Sequence, residues 1–178
     1  MRIIIYLITF VVLTGCIHQD EKEHLKFEQI SLSSGLCMGC DYNIDVDIFK
    51  NGKVVLLYTD YKAGEKRNLY TGQLPEKFKD SLVNLFLGVD LEFVESYQNS
   101  ELDTRKYQIF IEYSKNEIIT NKVFIGSSFE TRLAGVVKFI MSIHKHIELE
   151  PLNKNYTFKT DEIFGKPPYL YVEKENPN

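Results

Sequence analysis

The sequence has no apolar run long enough for a permanent membrane span, because its longest run covers about ten residues and a spanning helix needs roughly twenty. It also has no tryptophan, no glycine-rich phosphate loop and no low-complexity tract. Basic residues are in the minority, with 21 Lys and Arg against 25 Asp and Glu, and the formal net charge is −4. This acidic balance argues against nucleic-acid binding and against a polybasic membrane patch, since both need clustered cations.

The chain is long enough to form one domain with a real core. Of its 178 residues, 44% are hydrophobic, and 12 Phe and 11 Tyr are among them. That apolar content is normal for a folded chain of this size. We therefore expect a single folded domain.

The N-terminal segment has the order of an export signal. One cation, Arg2, precedes the short apolar run, which ends in Leu13-Thr14-Gly15-Cys16. The pattern resembles the signal peptide and lipobox of bacterial lipoproteins. That resemblance implies cleavage of a signal peptide at 1–15 and attachment of acyl chains such as palmitate to Cys16. Two or more acyl chains hold a soluble domain at a membrane, so we expect a protein lipid-anchored in the cell envelope, at the outer membrane.

A flexible tether is expected to follow the lipidated cysteine. The tether in 16–26 is charged and has neither strand nor helix periodicity. Within it, Gln19-Asp20-Glu21 is similar to the acidic export signals that send some Bacteroidetes lipoproteins to the cell surface. The periplasmic and the surface-exposed sides both stay open. The expected partners are the membrane, through the lipid on Cys16, and an envelope protein.

Two segments of the domain have the alternation of a β-hairpin. Apolar and polar residues alternate over 42–48, and a return strand covers 54–58 after a turn. The same order recurs about 65 residues later, with a strand over 107–113 and a return strand over 118–125. An added strand is predicted at Phe27 to Ser33. Shorter strands are predicted near 67–71 and 91–97.

An amphipathic helix is predicted after each hairpin. Pro75 suits the first helical position and Gly88 can end the first helix. Ser127 and Glu130 have the spacing of a capping box for the second helix, which is predicted to end before Pro151. The apolar stripes consist of Phe78, Leu82, Leu85 and Phe86 in the first helix and of Leu133, Val136, Val137, Ile140 and Ile147 in the second.

These elements predict an α+β fold in one domain at 27–150. Its antiparallel sheet is built from two β-hairpin-plus-helix units, with both helices on one face. The two units are either an internal repeat or two unrelated hairpins packed in the same manner. A C-terminal segment at 151–178 carries five aromatic residues among prolines and charges. We expect it to follow an extended path and to pack on the domain, with a docking strip for an envelope partner as the alternative.

Cys37 and Cys40 are the only cysteines besides Cys16. Their spacing fits a structural disulfide, a thiol redox pair or half of a zinc site. The redox interpretation lacks the helix N-terminus that would lower a thiol pKa, and the zinc interpretation lacks ligands, since His144 and His146 point apart on a helix. In an exported protein, the disulfide is the expected state.

The same region carries a family resemblance. The segment 30–40, the turn at Asn51-Gly52 and the strand Tyr107 to Tyr113 resemble a bacterial domain family of unknown function that is frequent in Bacteroidetes lipoproteins. Its hallmark is Cys-Phe-Gly-Thr-Cys-Pro before the first hairpin. Here one residue fewer separates the cysteines, and Asp41 replaces the proline. The resemblance covers about 27–149 and implies an α+β envelope lipoprotein without supplying an activity.

Other polar residues are assigned structural roles. Asp45 and Asp47 share one face of a strand at about 7 Å, a separation that carboxylate pairs of hydrolases also use. We expect a solvated outer face there, with Glu112 facing the same way. His144 lies in line with the apolar stripe and is expected to be a partly buried packing residue.

No catalytic residue, metal site or cofactor is predicted from these patterns. The sequence favours a non-enzymatic binding or scaffold module of the envelope, with an unknown ligand. The alternative is a thiol-disulfide redox protein that uses Cys37 and Cys40. A hydrolase based on Asp45 and Asp47 is a third, weaker hypothesis.

Overall fold

The computed structural model describes residues 25–35, 39–94, 96–97 and 104–165. The predicted signal peptide 1–15, Cys16 and most of the tether therefore lie outside the described residues. Cys37 and the end of the C-terminal segment also lie outside them.

Within this part of the chain, seven strands form one antiparallel sheet. They are β1 (Leu25–Ser34), β2 (Tyr42–Phe49), β3 (Lys53–Asp60), β4 (Lys66–Gln73), β6 (Tyr107–Lys115), β7 (Ile118–Gly126) and β9 (Leu149–Pro151). Their order across the sheet is β7-β6-β1-β2-β3-β4-β9. A separate two-stranded ribbon joins β5 (Ser96–Tyr97) to β8 (Ser128–Phe129). The helices are α1 (Glu76–Leu87), α2 (Thr131–Met141) and α3 (Lys159–Phe164), and a 3₁₀ turn covers Ile143–Lys145. The predicted α+β class and the antiparallel sheet are confirmed.

Strand β1 lies inside the sheet and joins the two hairpins. It pairs with β2 on one side and with β6 on the other, so each hairpin contributes its first strand to the same central partner. A register shift between Phe27 and Gln29 marks a bulge in β1 opposite β6. The two hairpins therefore extend the sheet in opposite directions from β1.

One face of the sheet forms the main core because alternate residues of each strand are aliphatic. From the strands, the core takes Ile30, Leu32, Ile44, Val46, Ile48, Val54, Leu56, Ile109 and Ile111. From the helices, the same cluster takes Leu82, Phe86, Leu133, Val136, Val137 and Ile140. Each such side chain stabilises the fold by about 1.5–3 kcal/mol when it is fully removed from water.

The predicted capping box of the second helix is wrong. Glu130, not Ser127, is the N-cap of α2, and its side-chain Oε1 accepts a hydrogen bond from the Leu133 amide at 2.9 Å. Strand β8 lies between Ser127 and the helix. A carboxylate at the cap is favourable because it satisfies a free amide and faces the positive end of the helix dipole.

Three further boundaries differ from the prediction. Helix α2 ends at Met141 rather than just before Pro151, so Ile147 of its predicted stripe lies beyond the helix. Residues 91–93 form a turn rather than a strand, and Ser96–Tyr97 is the extended part among the described residues of that region. The C-terminal segment is not extended throughout, since α3 follows the irregular residues 152–158. Gly165 ends α3 with a φ of 76°.

Candidate functional site

Cys40 lies in the short connection between β1 and β2 and is disulfide-bonded. Cys37, its predicted partner, is outside the described residues, so the pairing of these two cysteines stays a prediction. The glycine before Cys40, Gly39, has a φ of 76°, a left-handed conformation that glycine adopts without steric cost.

Neighbouring residues hold this connection against the end of the sheet. The Asp41 carbonyl accepts a hydrogen bond from the Tyr61 amide at 3.0 Å, and the Asp41 carboxylate pairs with Lys62 at 2.8 Å. Arg105 donates to the Tyr42 carbonyl, and its guanidinium carbon lies 5.2 Å from the centre of the Tyr42 ring. The backbone that follows Cys40 is thus fixed from two sides.

His144 packs against the rings at this end of the sheet. Tyr42 and Tyr58 stack with their centroids 5.3 Å apart, and the imidazole lies 5.3 Å from the first ring and 5.2 Å from the second. Burial lowers the pKa of His144, and the neighbouring Lys145 lowers it further. The predicted packing role of His144 agrees with these contacts, although the residue belongs to the 3₁₀ turn rather than to α2.

The second face of the sheet carries the two predicted carboxylates, and it is not solvated. Asp47 is only 1% exposed, and Asp45 is partly buried. The prediction of a solvated outer face is therefore wrong at these two positions. The reason is that part of the C-terminal segment, residues 152–165, crosses this face and covers the part formed by β1, β2 and β6.

Asp47 is the main attachment point of that segment. The Tyr156 hydroxyl donates to Oδ2 at 2.7 Å, and the Lys159 amide lies 3.4 Å from Oδ1 and 3.3 Å from Oδ2. Ser31 and Gln29 on β1 also hydrogen-bond to this carboxylate. Burial raises the pKa of Asp47, and these hydrogen bonds oppose the rise because they favour the charged form.

Apolar contacts surround this attachment. Phe110 lies beside Ser31 in the sheet register, and Ser31 lies beside Asp47. The Lys159 ammonium is 5.6 Å from the centre of the Phe110 ring. Phe158 is 3% exposed and meets the Tyr156 ring edge to face, with centroids 5.0 Å apart. The second face is thus a small mixed core with a carboxylate at its centre.

Asp45 lies two residues earlier on β2 and has different surroundings. Ser33 of β1 donates a hydrogen bond to its Oδ1. Burial raises the pKa of Asp45 to about 6, with a smaller upward contribution from Asp161 of α3. The Ser33 hydrogen bond and the charge of Arg67 act in the opposite direction. A carboxyl group with a pKa near 6 can change its protonation state close to neutral pH.

This arrangement bears on the hydrolase hypothesis. Paired catalytic carboxylates must reach a substrate, but the oxygens of Asp47 are occupied by Tyr156 and the Lys159 amide. The contacts around Asp47 suit a structural attachment of the C-terminal segment. They argue against a catalytic carboxylate pair.

A groove that no sequence pattern indicated lies at the β9 edge of the sheet. Its volume is about 830 Å³, and it runs along β4 and β9 to the start of α1. Gly72 in its wall is required by close packing, since a Cβ atom there would lie 2.6 Å from the Glu148 carbonyl oxygen. The charged residues of the groove have both signs, and they are Lys53, Lys145, Glu148 and Glu150.

Among the described residues, no group of three or more His, Cys, Asp and Glu is arranged to hold a metal ion. In the same part of the chain, no helix is long and apolar enough to cross a membrane. In comparisons with known proteins, the chain matches no family model, no curated protein and no solved structure.

The raised pKa of Asp45 predicts how the free energy of unfolding depends on pH. The folded state holds the proton up to about pH 6, whereas an unfolded Asp releases it near pH 4. The free energy of unfolding should therefore fall as pH rises from about 4 to 6, and Asp45→Asn should remove about 1–3 kcal/mol of that fall. The amide keeps an oxygen that can accept from Ser33.

Urea unfolding at several pH values would measure this effect. Asp80→Asn is the matched control, because Asp80 is exposed on α1 and should leave the pH profile unchanged. An Asp45→Asn profile with the full wild-type slope would contradict the assignment.

Proposed function

We propose that the protein is a lipid-anchored module of the cell envelope that binds or scaffolds another envelope component and has no catalytic activity. The observation that carries this proposal is the Leu13-Thr14-Gly15-Cys16 junction after a short apolar run. In this proposal Cys16 bears the lipid, and the folded domain is held at the outer membrane by the tether.

The side-chain contacts favour binding over catalysis. The carboxylate of Asp47, which is 1% exposed, is used to fix the C-terminal segment. His144 is packed against two stacked tyrosine rings. In contrast, β7 exposes several large aliphatic side chains to solvent. These features suit a protein whose surface, rather than an enclosed reactive site, makes the functional contacts.

We also propose that the two hairpin-plus-helix units form an internal repeat with both helices on one face of the sheet. In support, the first strand of each hairpin pairs with β1. The buried residues of α1 and α2 also belong to one apolar cluster. The likeness to the Bacteroidetes lipoprotein family is part of the same proposal and rests on the cysteine region and the hairpins.

Replacing the proposed lipid acceptor tests the anchor. Cys16→Ser should prevent lipidation, and the protein should then leave the membrane fraction or accumulate with its signal uncleaved. Fractionation of cells followed by mass determination of the N-terminal peptide would measure both results. Cys40→Ser is the control, since it removes a cysteine without touching the lipobox. Unchanged membrane retention of Cys16→Ser would contradict the anchor.

A thiol-disulfide redox protein is the second candidate, because Cys40 is disulfide-bonded in a short loop beside Arg105 and Tyr42. A redox pair would be reduced readily and would have one thiol with a lowered pKa. We instead expect a bond that resists reduction by glutathione, and reduced thiols that are not unusually fast in alkylation at low pH. Redox titration and alkylation rates against pH would distinguish the two candidates.

A further inference from the structure

We propose that two copies of this chain join through β7, which pairs with its own copy in antiparallel orientation around Asn121. The result would be one continuous sheet across both copies. The proposal is independent of the membrane anchor, because it rests on the exposed edge of the folded domain.

The two edges of the sheet differ in a way that points to β7. Strand β9 has three residues, and Glu150 and Pro151 are two of them. Shortness, charge and proline are the usual protections of an edge strand. Strand β7 has nine residues, of which Lys122 is the one charged residue. The β9 edge thus has all three protections, whereas the β7 edge has a single charge.

The outer side of β7 has backbone groups available for pairing. Strands β6 and β7 are joined by the two-residue turn Asn116-Glu117, with positive φ values of 50° and 68°. In such a hairpin the two residues that flank the turn, here Lys115 and Ile118, form a hydrogen-bonded pair. Hydrogen-bonded and non-hydrogen-bonded pairs then alternate along the two strands. The N–H and C=O groups of Ile119, Asn121 and Val123 therefore point outward. Within the described residues, β6 is the one strand that pairs with β7, and β5 contacts β7 without pairing with it.

The side chains of β7 are also exposed. The relative exposure is 63% for Ile119, 43% for Val123 and 41% for Ile125. By the register with β6 these residues lie on the same face as Phe110. Neighbouring apolar side chains on an edge strand stabilise the addition of another strand, because cross-strand pairs then leave water.

The order of apolar and polar residues on the exposed face of β7, at positions 119–123, reads the same in both directions, so it suits antiparallel pairing with a second copy. Ile119, Asn121 and Val123 give the order apolar, polar, apolar, so an antiparallel copy places Ile119 opposite Val123 and Asn121 opposite Asn121. Lys122 then faces Thr120 of the copy. Moving the centre by one residue would place Lys122 directly opposite Lys122, and like charges in that position are destabilising. Charge thus selects the register centred on Asn121 over that neighbouring register. The symmetric order of Ile119, Asn121 and Val123 is what favours a second copy as the occupant.

A cysteine at the centre of the proposed register tests this pairing. In a hydrogen-bonded antiparallel pair the two Cα atoms are about 5.5 Å apart, which suits a disulfide. Full-length Asn121→Cys should therefore form a cross-linked dimer under mild oxidation. Thr120→Cys is the matched control. In this register residue 120 of one copy lies opposite residue 122 of the other, so the Cα atoms of the two residues 120 are about 8 Å apart, too far for a disulfide. We expect about tenfold less cross-linking from the control.

Solution measurements provide a test that needs no added cysteine. Sedimentation should detect a dimer of the wild-type chain, and Val123→Lys should weaken it by about tenfold or more, since it places two further charges at the interface. Phe93→Lys is the control, because Phe93 is 77% exposed and lies outside the sheet. The Phe93→Lys variant should remain a dimer.

Other occupants of the edge would overturn the proposal. A photoreactive residue at position 121 should form its adducts on β7 of a second copy. Adducts on residues 166–178 of the same chain, or on a different protein, would show that something else covers this edge. A monomeric wild type together with equal cross-linking of Asn121→Cys and Thr120→Cys would also overturn it.

Discussion

The buried carboxylate of Asp47 determines how the second face of the sheet is organised. A charged group that is 1% exposed is costly unless it is fully hydrogen-bonded. Its bonds come from β1 and from the C-terminal segment, through Tyr156 and the Lys159 amide. Removing the segment would leave the carboxylate without those donors. The segment and the sheet are therefore energetically dependent on each other.

Strand β2 connects this interaction to the rest of the fold. Its alternate residues Ile44, Val46 and Ile48 are buried in the main core under α1 and α2. Asp45 and Asp47 lie between them and face the other way. One strand thus holds an apolar layer on one side and a polar attachment on the other, and the C-terminal segment gives the sheet a cover on its second face. This cover extends over β6 and β1, whereas β7 keeps its exposed aliphatic side chains.

Local patterns predicted the strands and helices well, because alternation and helical periodicity are properties of neighbouring residues. The hairpin at 42–58 and the helix after Pro75 are examples. The burial of Asp47 could not be predicted in this way, since Tyr156 is 109 residues away in the sequence. The one available signal was the aromatic content of the C-terminal segment, which indicated packing but not its location. Similarly, Ser127 matched a capping pattern, but the intervening β8 left Glu130 as the residue that caps α2.

The energetic coupling between Asp47 and Tyr156 is the most direct test of this account. A double-mutant cycle with Asp47→Asn and Tyr156→Phe, measured by urea unfolding, should give a coupling of about 1–3 kcal/mol, as expected for a hydrogen bond to a charged group. Both variants should also speed proteolysis within residues 152–165. Asp80→Asn is the control, and it should change neither the free energy of unfolding nor the rate of this proteolysis. Additive effects of the two substitutions, with unchanged proteolysis of the segment, would contradict the claim that Asp47 fixes the C-terminal segment to the sheet.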